Sequence, residues 1–285
     1  MCFNNSESTY LKRMLNVLYA SGFAMPSCDK MPFTVEMIMS NKPISEALRE
    51  QLTRLDAKRL TFGGMSAPAV ESLFGRLRVE LTYASNAIEG NTLSLRETQL
   101  VVEEGISPTQ GKSLREVYEA RNHYAAIKEI ERFVNEDREV STRALLDIHQ
   151  IVMRDIDVSW GGRLRNAAVF IKGTRHTPPN AARLGEELDT LVAWADQSAQ
   201  HPVLLAAETH FRFESLHPFF DGNGRTGRLL MNWQLLRAGF PLTVIQVEER
   251  SRYLDALDQG HTGTLLPLQS LVANAVERSL DLASG

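Results

Sequence analysis

The residues of this sequence best able to do chemistry together lie in one run, His217-Pro218-Phe219-Phe220-Asp221-Gly222-Asn223-Gly224-Arg225-Thr226-Gly227-Arg228. It passes directly into an apolar, helix-patterned stretch, Leu229 to Ala238. Gly222 and Gly224 have no Cβ, so the backbone can take left-handed angles there and approach a ligand closely. A helix starting at this point would aim its unpaired first-turn N–H groups, and the positive end of its dipole, at the same spot. Arg225 and Arg228, three apart, add two forked donors suited to phosphate oxygens. A polyphosphate fits this set better than a lone carboxylate. Asp221 is the one carboxylate in a loop otherwise built for negative charge, and a hard cation such as Mg²⁺ bridging it to phosphate would account for it. His217, at the loop entry, titrates near neutral pH and could take a proton from an attacking hydroxyl.

Taken whole, the run is similar, position by position, to the HPFxxGNGRxxR signature of Fic-domain proteins, most of which transfer AMP from ATP to a hydroxyl side chain of a target protein. The resemblance implies His217 as general base and Asp221 as the Mg²⁺ ligand. It places Asn223, with the neighbouring backbone N–H groups of Gly222 and Gly224, at the α-phosphate region, and Arg225 and Arg228 on the β- and γ-phosphates. It makes Pro218 and Phe219 structural, the ring anchoring the loop in the core. A histidine beside proline, a GNG turn or two arginines on a helix is ordinary in isolation; only the complete set ahead of a helix is specific.

A second stretch must reach this loop. Pro68 opens a long helical pattern, with Val70, Leu73, Phe74, Leu77, Leu81 and Ala84 at spacings of three and four, that ends in Ser85-Asn86-Ala87-Ile88-Glu89-Gly90-Asn91. Gly90 fits a helix C′ position. Glu89 is badly placed, because a carboxylate at a helix C-terminus meets the negative end of the dipole, so a partner should offset it. The stretch resembles the (S/T)xxxE(G/N) inhibitory motif of class II Fic AMP-transferases, with Ser85, Glu89 and Gly90 matching. That resemblance implies a helix at about 68–90 docked beside the loop, with Glu89 on Arg228, holding ATP in an unproductive pose.

The elements that position these residues read as helices: 45–60, 94–104, 112–137 with Leu114, Val117, Tyr118, Tyr124, Ile127, Ile130 and Phe133 as its buried stripe, 143–154 capped by Ser141-Thr142, 181–196, 202–216, 251–259 and 265–283. His123 and His149 are assigned to structure. Short patterns at 7–20 and 34–40, separated by a break at 22–32, form an N-terminal helical appendage over 1–66, ahead of a Fic domain over 67–285. Between Trp160 and Pro179 the period changes: Asn166 to Gly173 carries β-branched and aromatic residues and a glycine turn, an expected hairpin. By resemblance this is the flap, in which Val169, Phe170, Ile171, Lys172 and Gly173 would align a target segment by main-chain pairing. Arg252-Tyr253 fits the family's adenine end, giving Tyr253 a nucleotide-binding role, whereas Leu254 and His261 depart from its pattern and leave the base open. The fold expected is all-α, eight or more helices with one β-hairpin flap.

Composition closes off other classes. Hydrophobic residues at 43% and charged residues at 23% are globular values, and a net charge of −4 gives no electrostatic footprint for nucleic acid. No run of about 18 apolar residues suggests a membrane span. The start lacks the basic and apolar regions of a secretion signal. Cys2 and Cys28 form no zinc pattern and suit a reducing cytoplasm. The function expected is Mg²⁺-ATP-dependent AMP transfer to a Ser, Thr or Tyr hydroxyl of a target protein, restrained by Glu89; the alternatives are removal of AMP, both activities in one protein, or a nucleotide-binding adaptor. A homodimer is left open.

Overall fold

The computed structural model describes residues 44–106, 111–171 and 173–284. The helices expected at 7–20 and 34–40, the break at 22–32, and Cys2, Cys28, Pro43 and Lys172 lie outside the described residues.

Serine hydroxyls start four of the helices by accepting a first-turn N–H. Ser45 takes Leu48 N at 3.3 Å and opens α1 (Glu46–Gly63). After Ser66, Pro68 occupies the first turn of α2 (Ala67–Ile88), where its missing N–H costs nothing. Capping boxes, Ser94 with Glu97 and Ser113 with Glu116, open α3 (Leu95–Gln99), which runs on as a π-helical turn over Leu100–Glu104, and α4 (Leu114–Asn135). Ser141 caps α5 (Thr142–Val152). A 3₁₀ turn, Ala181–Arg183, leads into α6 (Leu184–Gln197), and α7 (Pro202–Leu216) begins on a proline. Then come α8 (Asn223–Arg237), α9 (Arg250–His261) and α10 (Leu266–Ser284), which makes ten α-helices among the described residues.

The helix that follows the loop is the centre of the molecule. On α8, Leu229, Met231, Trp233 and Leu235 are wholly buried, and α7, α4, α5 and α2 pack around it. A helix covered on every side needs apolar residues on every side, which is why this stretch carries no polar stripe. Trp233 meets Phe133 of α4 with ring centroids 5.0 Å apart. On α1, Leu48, Leu52, Leu55 and Phe62 join the same apolar cluster, with α1 laid along α10, so this helix is fused to the body. Each such side chain contributes about 1.5–3 kcal/mol by leaving water. Leu114 departs from its expected place in the buried stripe: at the first position of α4 it is 63% exposed, while Val117, Ile127, Ile130 and Phe133 are buried.

The expected hairpin is corrected by the structure. No strand occurs among the described residues, and the described stretch after Arg165 is bend and coil, with Gly173 left-handed at φ 91°. The β-branched residues are there, but two strands without a third element to pair with are marginal in water. The stretch is held by side chains instead. Thr174 Oγ1 donates to Asp258 at 2.5 Å, and a His176 ring nitrogen lies 2.8 Å from the Ser215 carbonyl.

Candidate functional site

Two left-handed residues shape the loop. His217 ends α7 at φ 44°, ψ 60°, a region that non-glycine residues seldom enter, and Gly222 precedes α8 at φ 77°. The strained His217 is held from outside. Arg165, 2% exposed, donates from Nε to the His217 carbonyl at 2.8 Å, from Nη1 to Ala167 O at 2.8 Å and from Nη2 to Pro179 O at 2.7 Å, while its backbone N–H reaches Pro218 O at 2.9 Å. Burial without a carboxylate partner lowers the pKa of this guanidinium. One side chain therefore ties the loop to both ends of the segment expected as the flap.

From below, the loop rests on α5. Phe219 is fully buried and stacks on His149 with centroids 3.6 Å apart and planes at 4°. Gly162 N donates to His149 Nδ1 at 3.0 Å, which leaves the proton on Nε2, 3.0 Å from the Asp221 carbonyl. The structural role read for His149 thus has a definite content: it sets the height and tilt of the loop. A Cβ on Gly222 would come within 3.1 Å of Met153 Sδ and 3.3 Å of the His149 ring, so this position needs glycine for space as well as for its angle. Asn223, expected at the α-phosphate, turns inward: Oδ1 accepts from Phe219 N and Nδ2 donates to Phe219 O, both at 2.9 Å, and the residue is 3% exposed. Its amide shapes the loop, leaving the backbone N–H groups of the α8 first turn to face an anion.

Ser85, Glu89 and Arg228 come together. Arg228, 2% exposed, donates from Nε to Ser85 Oγ at 2.9 Å, and from Nη2 to Ser85 O and to Glu89 Oε1, each at 2.8 Å. Burial alone would lower its pKa, but Glu89 and the groups around it hold the guanidinium well above its usual range. The helix end that carries Glu89 has a second counter-charge, since Arg250 Nε donates to the Ile88 carbonyl at 2.7 Å. Gly90 turns the chain at φ 102°. The Glu89 carboxylate also fills the hollow over Gly224: a Cβ built there would stand 2.1 Å from Glu89 Oε1 and 3.0 Å from Arg228 Nη1. An acidic oxygen thus sits on the glycine at the helix N-terminus.

Arg225 is 2% exposed, reaching Asp221 Oδ1 at 3.2 Å, with buried Nε and Nη1 groups lacking a hydrogen-bond partner, donors that a phosphate oxygen would satisfy. Asp221 remains half-exposed. Burial tends to raise its pKa, but Arg225, the Gly222 N–H and Arg115 outweigh this and keep it below the usual carboxylate range. Among the described residues no group of three or more His, Cys, Asp or Glu is assembled to hold a metal ion. Tyr253, expected near the adenine, is 1% exposed; its hydroxyl lies 2.7 Å from His210 Nε2 and 3.4 Å from Arg228 Nη1, bracing Arg228 from behind. His123, wholly buried, has no hydrogen-bond partner at either ring nitrogen.

Burial pushes the pKa of His217 down to about 4; the Glu214 carbonyl opposes the shift, although no hydrogen bond of normal geometry forms at Nδ1. The imidazole is therefore neutral at pH 7 and can accept a proton without first losing one. Burial also lowers His149 to about 4 and His210 to about 3, whereas it raises Glu214 to about 8. These shifts set a stability profile. Below about pH 6.5 the unfolded chain protonates its histidines while the folded one does not, so each histidine costs stability on acidification, at about 1.4 kcal/mol per pH unit. Glu214 acts in the opposite sense, since between about pH 4.5 and 8 only the folded chain keeps its proton. Burial lowers His123, His201 and His261 as well, and Glu131 is the other carboxyl that burial raises, so six histidines against two carboxyls leave a net loss. The urea midpoint is expected to fall between pH 7 and pH 5, and Glu214→Gln, which removes one of the opposing groups, should steepen the fall. A midpoint that holds or rises to pH 5 would contradict these assignments.

Sequence reasoning passed over Arg165, Arg115, Glu119 and Glu214. Arg165 binds carbonyls, which no residue type announces. The other three touch the signature only through the fold.

Comparisons with known proteins bear on the family and the fold. The Fic/DOC family model matches residues 139–235. Protein adenylyltransferase Fic of Culex quinquefasciatus is 36% identical over 240 residues, covering 82% of this chain and 47% of that protein; the protein of the same name from Aedes aegypti is 35% identical, covering 82% and 48%. The chain thus spans about half the length of the curated relatives it matches. Among solved structures, a Fic-1 fragment from C. elegans superposes with a TM-score of 0.77 at 30% identity, covering 84% of this chain and 72% of that one. A Fic domain containing signaling protein from Bacteroides thetaiotaomicron gives 0.73 at 26%, covering 82% and 95%. On the signature loop, the helical frame around it and these likenesses, the chain belongs to the Fic/DOC family.

Proposed function

We propose that this protein transfers AMP from Mg²⁺-ATP to a Ser, Thr or Tyr hydroxyl of a target protein, and that Glu89 holds it back. The observation that carries the reading is the Glu89 carboxylate seated over Gly224 and bound to Arg228, an acid occupying the place best suited to phosphate. The adenylyltransferase name of the relatives supports the chemistry. The N–H groups of the α8 first turn and Arg225 hold the phosphates, and Arg228, once free of Glu89, takes the terminal one. Mg²⁺ on Asp221 would neutralise charge on the phosphate oxygens. The target hydroxyl attacks the α-phosphorus in line while His217 accepts its proton; the new oxygen–phosphorus bond forms as the bond to pyrophosphate breaks, and pyrophosphate leaves. In this reading residues 67–285 form the catalytic domain and 1–66 an appendage joined to it through α1. The segment around Phe170, which is 92% exposed, is open to a target strand.

One observation favours AMP removal as a second activity: Glu89 is 43% exposed and Arg228 binds only its Oε1, so the other oxygen can orient a water.

The test is the position of the label. Glu89→Gly protein incubated with a cell lysate is expected to label protein from ATP marked at the α-phosphate and not from ATP marked at the γ-phosphate. Label from the γ-phosphate alone would make the chain a kinase, and label from neither would overturn the transfer reading.

A further inference from the structure

Arg115 stands where a cation would stand at Asp221. Its Nη2 lies 2.5 Å from Asp221 Oδ2, while the other oxygen, Oδ1, faces Arg225 at 3.2 Å. Arg115 Nε is 3.1 Å from Glu119 Oε1, one turn along α4, and that same oxygen lies 3.4 Å from Arg225 Nη1. Two guanidiniums and two carboxylates therefore alternate in a closed ring between α4 and the signature loop, with their charges balanced. Without Arg115 the ring would hold two carboxylates against one guanidinium, an excess negative charge beside the Asp221 carboxylate. Arg225 is buried and fixed, whereas the Arg115 side chain is 57% exposed and can swing away at small cost.

The ring is also tied to the turn that carries Glu89. Asn91, two residues past it, donates from Nδ2 to Glu119 Oε2 at 2.9 Å and to the Glu116 carbonyl at 3.1 Å. A movement that draws Glu89 off Arg228 therefore pulls on the carboxylate that orients Arg115.

We propose that Arg115 is an internal counter-cation, seated on Asp221 in the free chain and displaced when a divalent cation binds. The protein then carries a stand-in for each half of a metal–nucleotide complex, Glu89 for a phosphate and Arg115 for the metal, and Asn91 links their release. This rests on the reading of Asp221 as the metal ligand, but Arg115 lies outside both sequence motifs and is assigned here from its contacts alone.

The test uses Mn²⁺ alone on the full chain, without nucleotide, and reads its paramagnetic broadening of the Trp160 indole N–H by NMR. Trp160 packs edge-on against Phe220, next to Asp221, with centroids 4.5 Å apart, while Trp233, about 15 Å further along α8, serves as the less affected reference. In Arg115→Ala the Mn²⁺ concentration for half-broadening is expected to fall about three- to fivefold, the scale of one exposed ion pair of good geometry. Arg115→Lys, which keeps the charge, should stay near the wild type, and Asp221→Ala should abolish the selective broadening. If Asp221→Ala abolishes it but Arg115→Ala leaves the midpoint unchanged, Arg115 is not the counter-cation and the metal assignment stands. If Trp160 is not selectively broadened in the wild type or in Arg115→Ala, the assignment of Asp221 falls and takes this inference with it.

Discussion

Glu89→Gly is expected to raise AMP transfer by about an order of magnitude or more, measured as protein labelled from α-marked ATP. Arg228 is buried, and among the described residues Glu89 is the one carboxylate bonded to it. Removing a carboxylate from a fully buried pair typically costs about 3–5 kcal/mol, because the charge left behind has no partner. The cost is smaller here, since Glu89 is 43% exposed and Ser85 retains two hydrogen bonds to the guanidinium. A released bias of about 1.4 kcal/mol already changes the competent population tenfold. The same change opens the hollow over Gly224, where Glu89 Oε1 now stands. Folded Glu89→Gly protein with an unchanged or lower rate would remove the autoinhibition claim, and loss of AMP removal in that variant would favour the second activity.

His217→Ala in the Glu89→Gly background is expected to lower transfer by about 10²–10⁴-fold, the usual worth of a positioned general base, while ATP affinity by calorimetry stays within about twofold. The separation follows from geometry. The phosphate-facing groups of this reading belong to α8, whereas His217 caps the end of α7 and is fixed through its own carbonyl by Arg165. Its neutral state at pH 7 means that the base is available without prior deprotonation. A parallel loss of ATP affinity would instead make His217 a part of the loop's architecture.

How much of this is legible in the sequence depends on range. The bounds of α7 coincide with the expected 202–216, because Pro202 marks its start and the residues before His217 are patterned for burial. Ser45, Ser94, Ser113 and Ser141 announce their helices through local hydrogen bonds. The misfit of Glu89 at a helix end is visible too, and its partner follows from the resemblance. Contacts at long range to groups outside the motifs leave no such mark. Arg115 meets Asp221 across 106 positions and Arg165 meets the His217 carbonyl across 52, and neither pairing changes the periodicity of the segments involved. Val169 and Ile171 misled in the opposite direction: their residue types favour strands, but strand formation needs a neighbour that the surrounding helices do not offer. The nucleotide role of Tyr253 comes from the resemblance alone, and its contacts with His210 and Arg228 are long-range ones that the sequence does not mark.

The most direct measurement compares the wild type, Glu89→Gly and Glu89→Gly/His217→Ala side by side with Mg²⁺, α-marked ATP and a cell lysate, and identifies the adduct on the labelled protein by mass spectrometry. The account predicts an adenylate adduct on a hydroxyl residue, strong in Glu89→Gly, at least about tenfold weaker in the wild type and near background in the double variant. Equal labelling by the wild type and Glu89→Gly, or undiminished labelling by the double variant, would contradict it.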